Sequence, residues 1–347
     1  MTTTAMRSRL TRAQLGGLAC IAALLASAGA GATAPPPRES AAQRGARDCG
    51  GQSQNPQRAC QEDLDRMMAA LPEAAPAKPV RPRHVLVLAD TQGFVHGSIP
   101  LAAATVEALG NKTKAWTTTI TYDAKDINTE NLKQYDAVFL DSTTGCFLDE
   151  PGNTAETNAR RAALVAFVRG GKGLAGVHAA TDSYSAPCPG SQAGRGGPGP
   201  VQEWPEFNTM IGGIFAAHPW QRVWVKIDDP VSPVTAAFKG QAFEMVDETY
   251  TMLPAVYSRE NLRVLLSIDV SKMGPADLGR ENRADHDYAL SWIRREGQGR
   301  VFYSAHGHRE AVYAMTPMLE HYLAGIQYAL GDLKADDTPS AKAGAKK

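Results

Sequence analysis

From residue 84 onward the chain alternates short apolar runs with amphipathic stretches. Residues 84–89 (HVLVLA) are continuously apolar, the pattern of a strand buried on both faces. Residues 98–110 (SIPLAAATVEALG) start at Ser98, carry Pro100 in the first turn and close on Gly110, which predicts a helix. Strands follow at 116–121 and 135–140, a helix at 154–169, and a fourth strand at 172–178 that ends in small residues. Further strands are predicted at 222–227, 263–269, 289–294 and 299–304. The last two are joined by the hairpin signal Glu296-Gly297-Gln298-Gly299. Val312, Met315, Leu319, Tyr322, Leu323 and Ile326 keep helical spacing and predict a C-terminal helix over about 310–330. Alternating strands and helices imply an α/β fold: a mostly parallel sheet flanked by helices, with additional C-terminal strands.

The flanks read differently. Arg7, Arg9 and Arg12 precede a short apolar core at 15–25 and the small residues Ala28, Gly29, Ala30, Gly31 and Ala32. This is the pattern of a signal peptide over 1–32. Its apolar run is too short and too rich in Ala and Gly for a membrane span. The expectation is an exported protein, periplasmic or secreted, with no membrane span once the signal is removed. Residues 33–82 read as a linker with a short helix at about 58–71, residues 83–332 as the α/β domain, and 333–347 as a flexible tail. Residues 186–200 read as a surface loop.

Export leaves Cys49, Cys60, Cys146 and Cys188, an even number that permits disulfides in an oxidising compartment. Three pairings are open. Cys49–Cys60 closes a short local loop and is favoured; Cys146–Cys188 would then join two loops of the domain. No C-x-x-C pair supports a common zinc site.

Of 347 residues, 36 are Lys or Arg and 36 are Asp or Glu. Zero net charge argues against a nucleic-acid partner, whose phosphates call for a basic excess. Ligands of open α/β sheets bind outside the carboxyl ends of the strands. Standing there are Asp90 to His96 after the first strand, Asp141 to Gly145 after the third, and His178 and Asp182 after the fourth. Gly176-Val177-His178-Ala179-Ala180 has the strand-to-tight-turn pattern of a nucleophile elbow, but with His in place of Ser or Cys. Acyl chemistry therefore lacks its attacking atom. His178 reads either as a functional imidazole or as a hydrogen-bonded core histidine. His218, His286, His306 and His308 are further imidazoles suited to proton transfer or metal ligation. Neighbouring strand side chains face opposite sides, so only one of Asp247 and Glu248 can enter a pocket; Glu248 is the favoured one. Trp292 is a candidate sugar-stacking ring.

These segments together resemble the ThuA-like family, named for a trehalose-utilisation protein and related in fold to class I glutamine amidotransferases. The stretches that carry the resemblance are VLVLADTQGFVHGSIP at 85–100, YDAVFLDSTTGCFLD at 135–149, FVRGGKGLAGVHAATDS at 167–183 and IGGIFAAHP at 211–219. DETYTM at 247–252, LLSIDVSKM at 265–273 and SWIRREGQGRVFYSAHGH at 291–308 continue it. It runs over about 84–331 and implies a flavodoxin-like, class I glutamine amidotransferase-like fold. In the amidotransferase relatives the elbow holds a catalytic Cys, at the position of His178. The chain departs from the family pattern at Val95, where Arg is usual, at Asp287, where Pro is usual, and at His306, where an apolar residue is usual.

The resemblance implies a carbohydrate-active protein that binds a sugar or keto-sugar at the strand carboxyl ends. His178, His308 and Glu248 would take acid/base roles, and His96, Thr143, Thr144, Asp182, His218 and Trp292 would line the ligand. Two alternatives stand beside it: a periplasmic sugar-binding protein without catalysis, and a metal-dependent enzyme using the His cluster through neutral imidazoles. The sequence names neither a cofactor nor an oligomeric state.

Overall fold

A computed structural model describes residues 58–189 and 203–343. The expected signal segment, the Cys49 half of the expected local bridge and most of the 186–200 loop lie outside the described residues. Cys60 is disulfide-bonded.

The strands are β1 (His84–Leu88), β2 (Thr117–Thr121), β3 (Ala137–Asp141), β4 (Gly173–Val177), β5 (Phe215–Ile227), β6 (Phe243–Met252), β7 (Arg263–Ile268), β8 (Ala289–Glu296) and β9 (Gly299–Ser304). Among the described residues they form one sheet in the order β2-β1-β3-β4-β9-β8-β7-β5-β6. From β2 to β9 every pairing is parallel. From β9 to β6 every pairing is antiparallel. The sheet is therefore mixed, not mostly parallel. The cause lies in the connections: β8 and β9 are joined by a tight turn, and a turn that short can only reverse the chain.

The helices are α1 (Gln61–Ala70), α2 (Ile99–Thr113), α3 (Thr129–Leu132), α4 (Thr154–Arg169), α5 (Pro205–Ile211), α6 (Pro275–Leu278), α7 (Thr316–Leu330) and α8 (Ser340–Ala343). The central strands β3 and β4 are buried along their whole length, as their continuous apolar runs require. β5 is longer than the pattern at 222–227 suggests. Pro219 cannot donate to the ladder, and the register shifts on either side of it.

Two flanks are docked onto the domain. In the expected linker, Met67 and Leu71 are buried, Gln327 exchanges hydrogen bonds with the backbone of Ala77 (3.1 and 2.6 Å), and Arg83 pairs with Asp332 at 2.6 Å. In the expected tail, the Ser340 backbone N–H donates to Leu262 O at 2.9 Å and Asp337 pairs with Arg295 at 2.9 Å. Cys146 and Cys188 form a disulfide. No helix among the described residues is long and apolar enough to cross a membrane.

Candidate functional site

Three strands of the sheet end in turns with left-handed backbone: β3 at Ser142 (φ 48°), β4 at His178 (φ 44°) and β9 at Gly307 (φ 137°). At Gly307 the turn needs glycine, since a Cβ would meet the Tyr313 hydroxyl at 2.7 Å. At His178 a bulky residue holds a conformation that costs energy, a frequent mark of functional sites. The chain there passes from β4 straight into a 3-10 turn, His178–Asp182.

His178 is fully buried. Its Nδ1 lies 3.0 Å from Ala305 O. A carbonyl only accepts, so Nδ1 carries the proton and the lone pair of the neutral ring is on Nε2. That Nε2 lies 3.2 Å from His308 Nδ1 and 3.5 Å from Glu248 Oε2. His308 Nδ1 is also 3.2 Å from Glu248 Oε2. Glu248 Oε1 lies 3.4 Å from His218 Nδ1. Burial opposes ionisation of Glu248, but the hydrogen bond from His308, the neighbouring His178 ring and the charge of His308 and His218 outweigh it. Its carboxyl is held well below the usual carboxylate range. Glu248 in turn holds the His308 imidazole above its ordinary value, against the opposing effect of burial.

His96 closes the group. It sits in the loop between β1 and α2, its ring 4.8 Å from that of His178 and 5.3 Å from that of His308, perpendicular to both. Burial, reinforced by His178 and His308, pushes it down to about 3. Its Nδ1 is buried with no hydrogen-bond partner among the described residues.

Tyr250 packs against the group, its ring 4.3 Å from that of His178. Tyr250 was not singled out in the sequence, although it lies two residues beyond Glu248 on the same face of β6. Phe215 packs on Tyr250 at 4.3 Å and stacks with His218 at 5.7 Å. Phe94 packs edge-on to His96 at 4.8 Å and is itself 66% exposed.

The remaining candidates sort by contact. Asp182 stands at the end of the 3-10 turn and accepts from the Ser185 hydroxyl at 2.6 Å; burial pushes its carboxyl up. Thr143 and Thr144 are buried and bonded within the protein. Thr143 shares a hydrogen bond with Ser183 (2.9 Å), and the Thr144 hydroxyl bonds Thr91, Gly93 N–H and Phe94 O, tying down the loop that carries His96. Trp292 is fully buried between Tyr303 and Tyr257, and its indole N–H donates to Ile211 O at 2.8 Å. No face of it is left for a ligand. His286 is exposed and pairs with Glu281 at 2.8 Å. His306 is wholly buried, and burial pushes it down to about 4. Cys146 and Cys188 are spent in their disulfide, which removes them as free thiols.

A cluster that joins a lone-pair nitrogen, an imidazolium favoured by a carboxylate and neighbouring aromatic rings has the groups needed to move a proton on a small polar molecule.

A family model described as trehalose utilisation, ThuA, matches residues 84–329. A Bacteroides uniformis protein described as ThuA-like has a solved structure with 20% identity and a TM-score of 0.54, covering 78% of this chain and 98% of its own. A Parabacteroides merdae protein of the same description shows 17% identity and a TM-score of 0.48, over 74% of this chain and 93% of its own. No curated protein matches the chain.

Proposed function

The chain belongs to the ThuA family, and from that premise we propose that the pocket around His178, His308 and Glu248 takes a sugar or keto-sugar and moves a proton on it. The family supports a carbohydrate-related role. The observation that carries the finer reading is the triangle of His178 Nε2, His308 Nδ1 and Glu248 Oε2, with sides of 3.2 to 3.5 Å.

The roles follow from the environments. His178, with Nδ1–H committed to Ala305, offers a bare Nε2 as base. His308, favoured as the imidazolium by Glu248, is the acid. Ala305 O orients His178, and Glu248 orients His308 and offsets its positive charge. On a keto-sugar, the base removes the proton from the carbon next to the carbonyl while the acid protonates the carbonyl oxygen. Protonation of the enediol at the former carbonyl carbon, with the other enol hydroxyl giving up its proton, is an isomerisation; return of the proton to the opposite face of its original carbon, with the first hydroxyl giving its proton back to His308, is an epimerisation; loss of a leaving group from the next carbon is an elimination. His96, Asp182 and His218 line the approach, and Tyr250 with Phe94 offers apolar surface for the C–H face of the ring. Thr143 and Thr144 act through the loops they hold.

The parallel strands run β2-β1-β3-β4-β9, and we read this half as a flavodoxin-like, amidotransferase-like sheet with its crevice at the carboxyl ends. The Cys146–Cys188 disulfide supports an exported, periplasmic or secreted location, as does the expected signal over 1–32.

Incubation with a panel of keto-sugars in D2O tests the reading. Deuterium appearing beside the carbonyl at an enzyme-dependent rate is the expected result. Saturable binding with no exchange and no product would replace it with a sugar-binding protein that does no chemistry.

A further inference from the structure

We propose that His178 Nε2, His308 Nδ1 and Glu248 Oε2, with His96 as a fourth donor, bind a divalent transition-metal cation of the zinc type. This rests on the reading of the pocket as the functional centre and adds the ion that would polarise the substrate there.

The triangle has sides of 3.2, 3.2 and 3.5 Å. A tetrahedral cation with bonds of ~2.0–2.2 Å holds its donors ~3.3–3.6 Å apart, since a tetrahedron's edge is about 1.6 times its bond. The three donors thus stand close to the separation a tetrahedral ion requires. The fourth belongs to His96, and one ligand atom from each of the four residues lies within 4.8 Å of the others. His96 Nδ1 is also a buried polar atom without a hydrogen-bond partner among the described residues. Such an atom needs an explanation, and an ion supplies one.

The supporting contacts agree. The other nitrogen of His178 donates to Ala305 O at 3.0 Å, the kind of contact that orients metal-bound imidazoles and fixes their tautomer. The loop carrying His308 is held by Asp247, whose carboxylate accepts from the backbone N–H groups of Gly307 (2.7 Å), His308 (3.3 Å) and Arg309 (2.8 Å). Three imidazoles and one carboxylate suit zinc, iron or cobalt better than magnesium or calcium, which prefer oxygen donors. With the cation bound, polarisation of the sugar carbonyl passes from the His308 N–H to the metal. The proton-carrying role passes to His218, which faces the outer oxygen of Glu248 at 3.4 Å.

The test uses full-length chain with any affinity tag removed, purified without chelator, analysed for metals, then stripped and titrated calorimetrically with Zn2+, Co2+ and Mn2+. About one equivalent of one of these cations per chain is expected. His308→Ala and Glu248→Gln, on half-buried side chains and checked for native circular dichroism, should each weaken binding ~100-fold or more, at or above what loss of an outer-sphere partner costs. A folded wild-type chain that takes up none of the three cations overturns the proposal, as does wild-type affinity retained in both variants. Sugar titrations run in parallel separate the two readings. No metal uptake, with sugar binding still lost in His178→Ala, overturns the metal site and leaves proton transfer by the imidazoles standing. Metal uptake with sugar binding unaffected in every variant supports the metal site and overturns the sugar reading.

Discussion

Asp247 and Glu248 are adjacent on β6 and serve opposite faces of it: Asp247 holds the backbone of Gly307, His308 and Arg309, while Glu248 meets the side chains of His178, His308 and His218. One carboxylate positions the loop and its neighbour joins the imidazole cluster. Asp247→Asn keeps the shape but replaces an accepting oxygen with an N–H2 facing backbone donors. Its unfolding free energy should fall by about 1–3 kcal/mol. Glu248→Gln should lose ligand affinity with little loss of stability. Chemical denaturation alongside ligand titration checks the contrast; equal stability loss in both variants would contradict the division of labour.

Trp292 is packed on Tyr303 and bonded to Ile211 O. Trp292→Phe leaves that carbonyl unpaired and a void beside it, at a cost of about 1–3 kcal/mol. Ligand affinity per folded molecule should not change. A tenfold loss of affinity at constant stability would return Trp292 to the ligand.

His321 is buried, its ring bonded to Ser291 Oγ (2.9 Å) and Val234 O (2.8 Å), and burial pushes it down to about 4. The folded state therefore disfavours the proton that the unfolded chain takes up near pH 6.5. Stability from this group is complete above ~6.5 and falls as pH drops toward 4, by about 3 kcal/mol at one pH unit per 1.36 kcal/mol. Denaturation of wild type and His321→Asn across pH 7 to 4 should show a steeper decline in wild type. Parallel curves would refute this account of His321.

Much of the fold was legible because β1, β3 and β4 are buried on both faces and so appear as unbroken apolar runs. The joining of β5 through β9 was not. Pro219 interrupts β5, and the pairing of β9 with both β4 and β8 is a long-range choice that local periodicity does not carry. In the pocket, His178 was legible from its place at the end of a strand, and Glu248 from the two-residue period. That His96 meets them depends on β1 and β4 being separated only by β3 in the sheet, a matter of topology. Trp292 misled because a tryptophan's sequence context does not say whether its ring ends in the core or in a cleft.

The Cys146–Cys188 bridge closes a segment with a sequence separation of 42. The joint Cys146→Ser and Cys188→Ser variant should lose about 2–4 kcal/mol. Denaturant midpoints with and without reductant measure it; unchanged midpoints in wild type after verified reduction would show that the bridge contributes nothing.

The central claim, that His178 belongs to the functional centre, is tested most directly by calorimetric titration of wild type and His178→Ala with one panel of sugars and keto-sugars. The account predicts binding at least ~10-fold weaker in the variant, the scale of one lost contact of ~1.4 kcal/mol, with stability within ~1–2 kcal/mol of wild type. Equal affinity in the two proteins, with the loss appearing instead in stability, would contradict it and make His178 a core histidine.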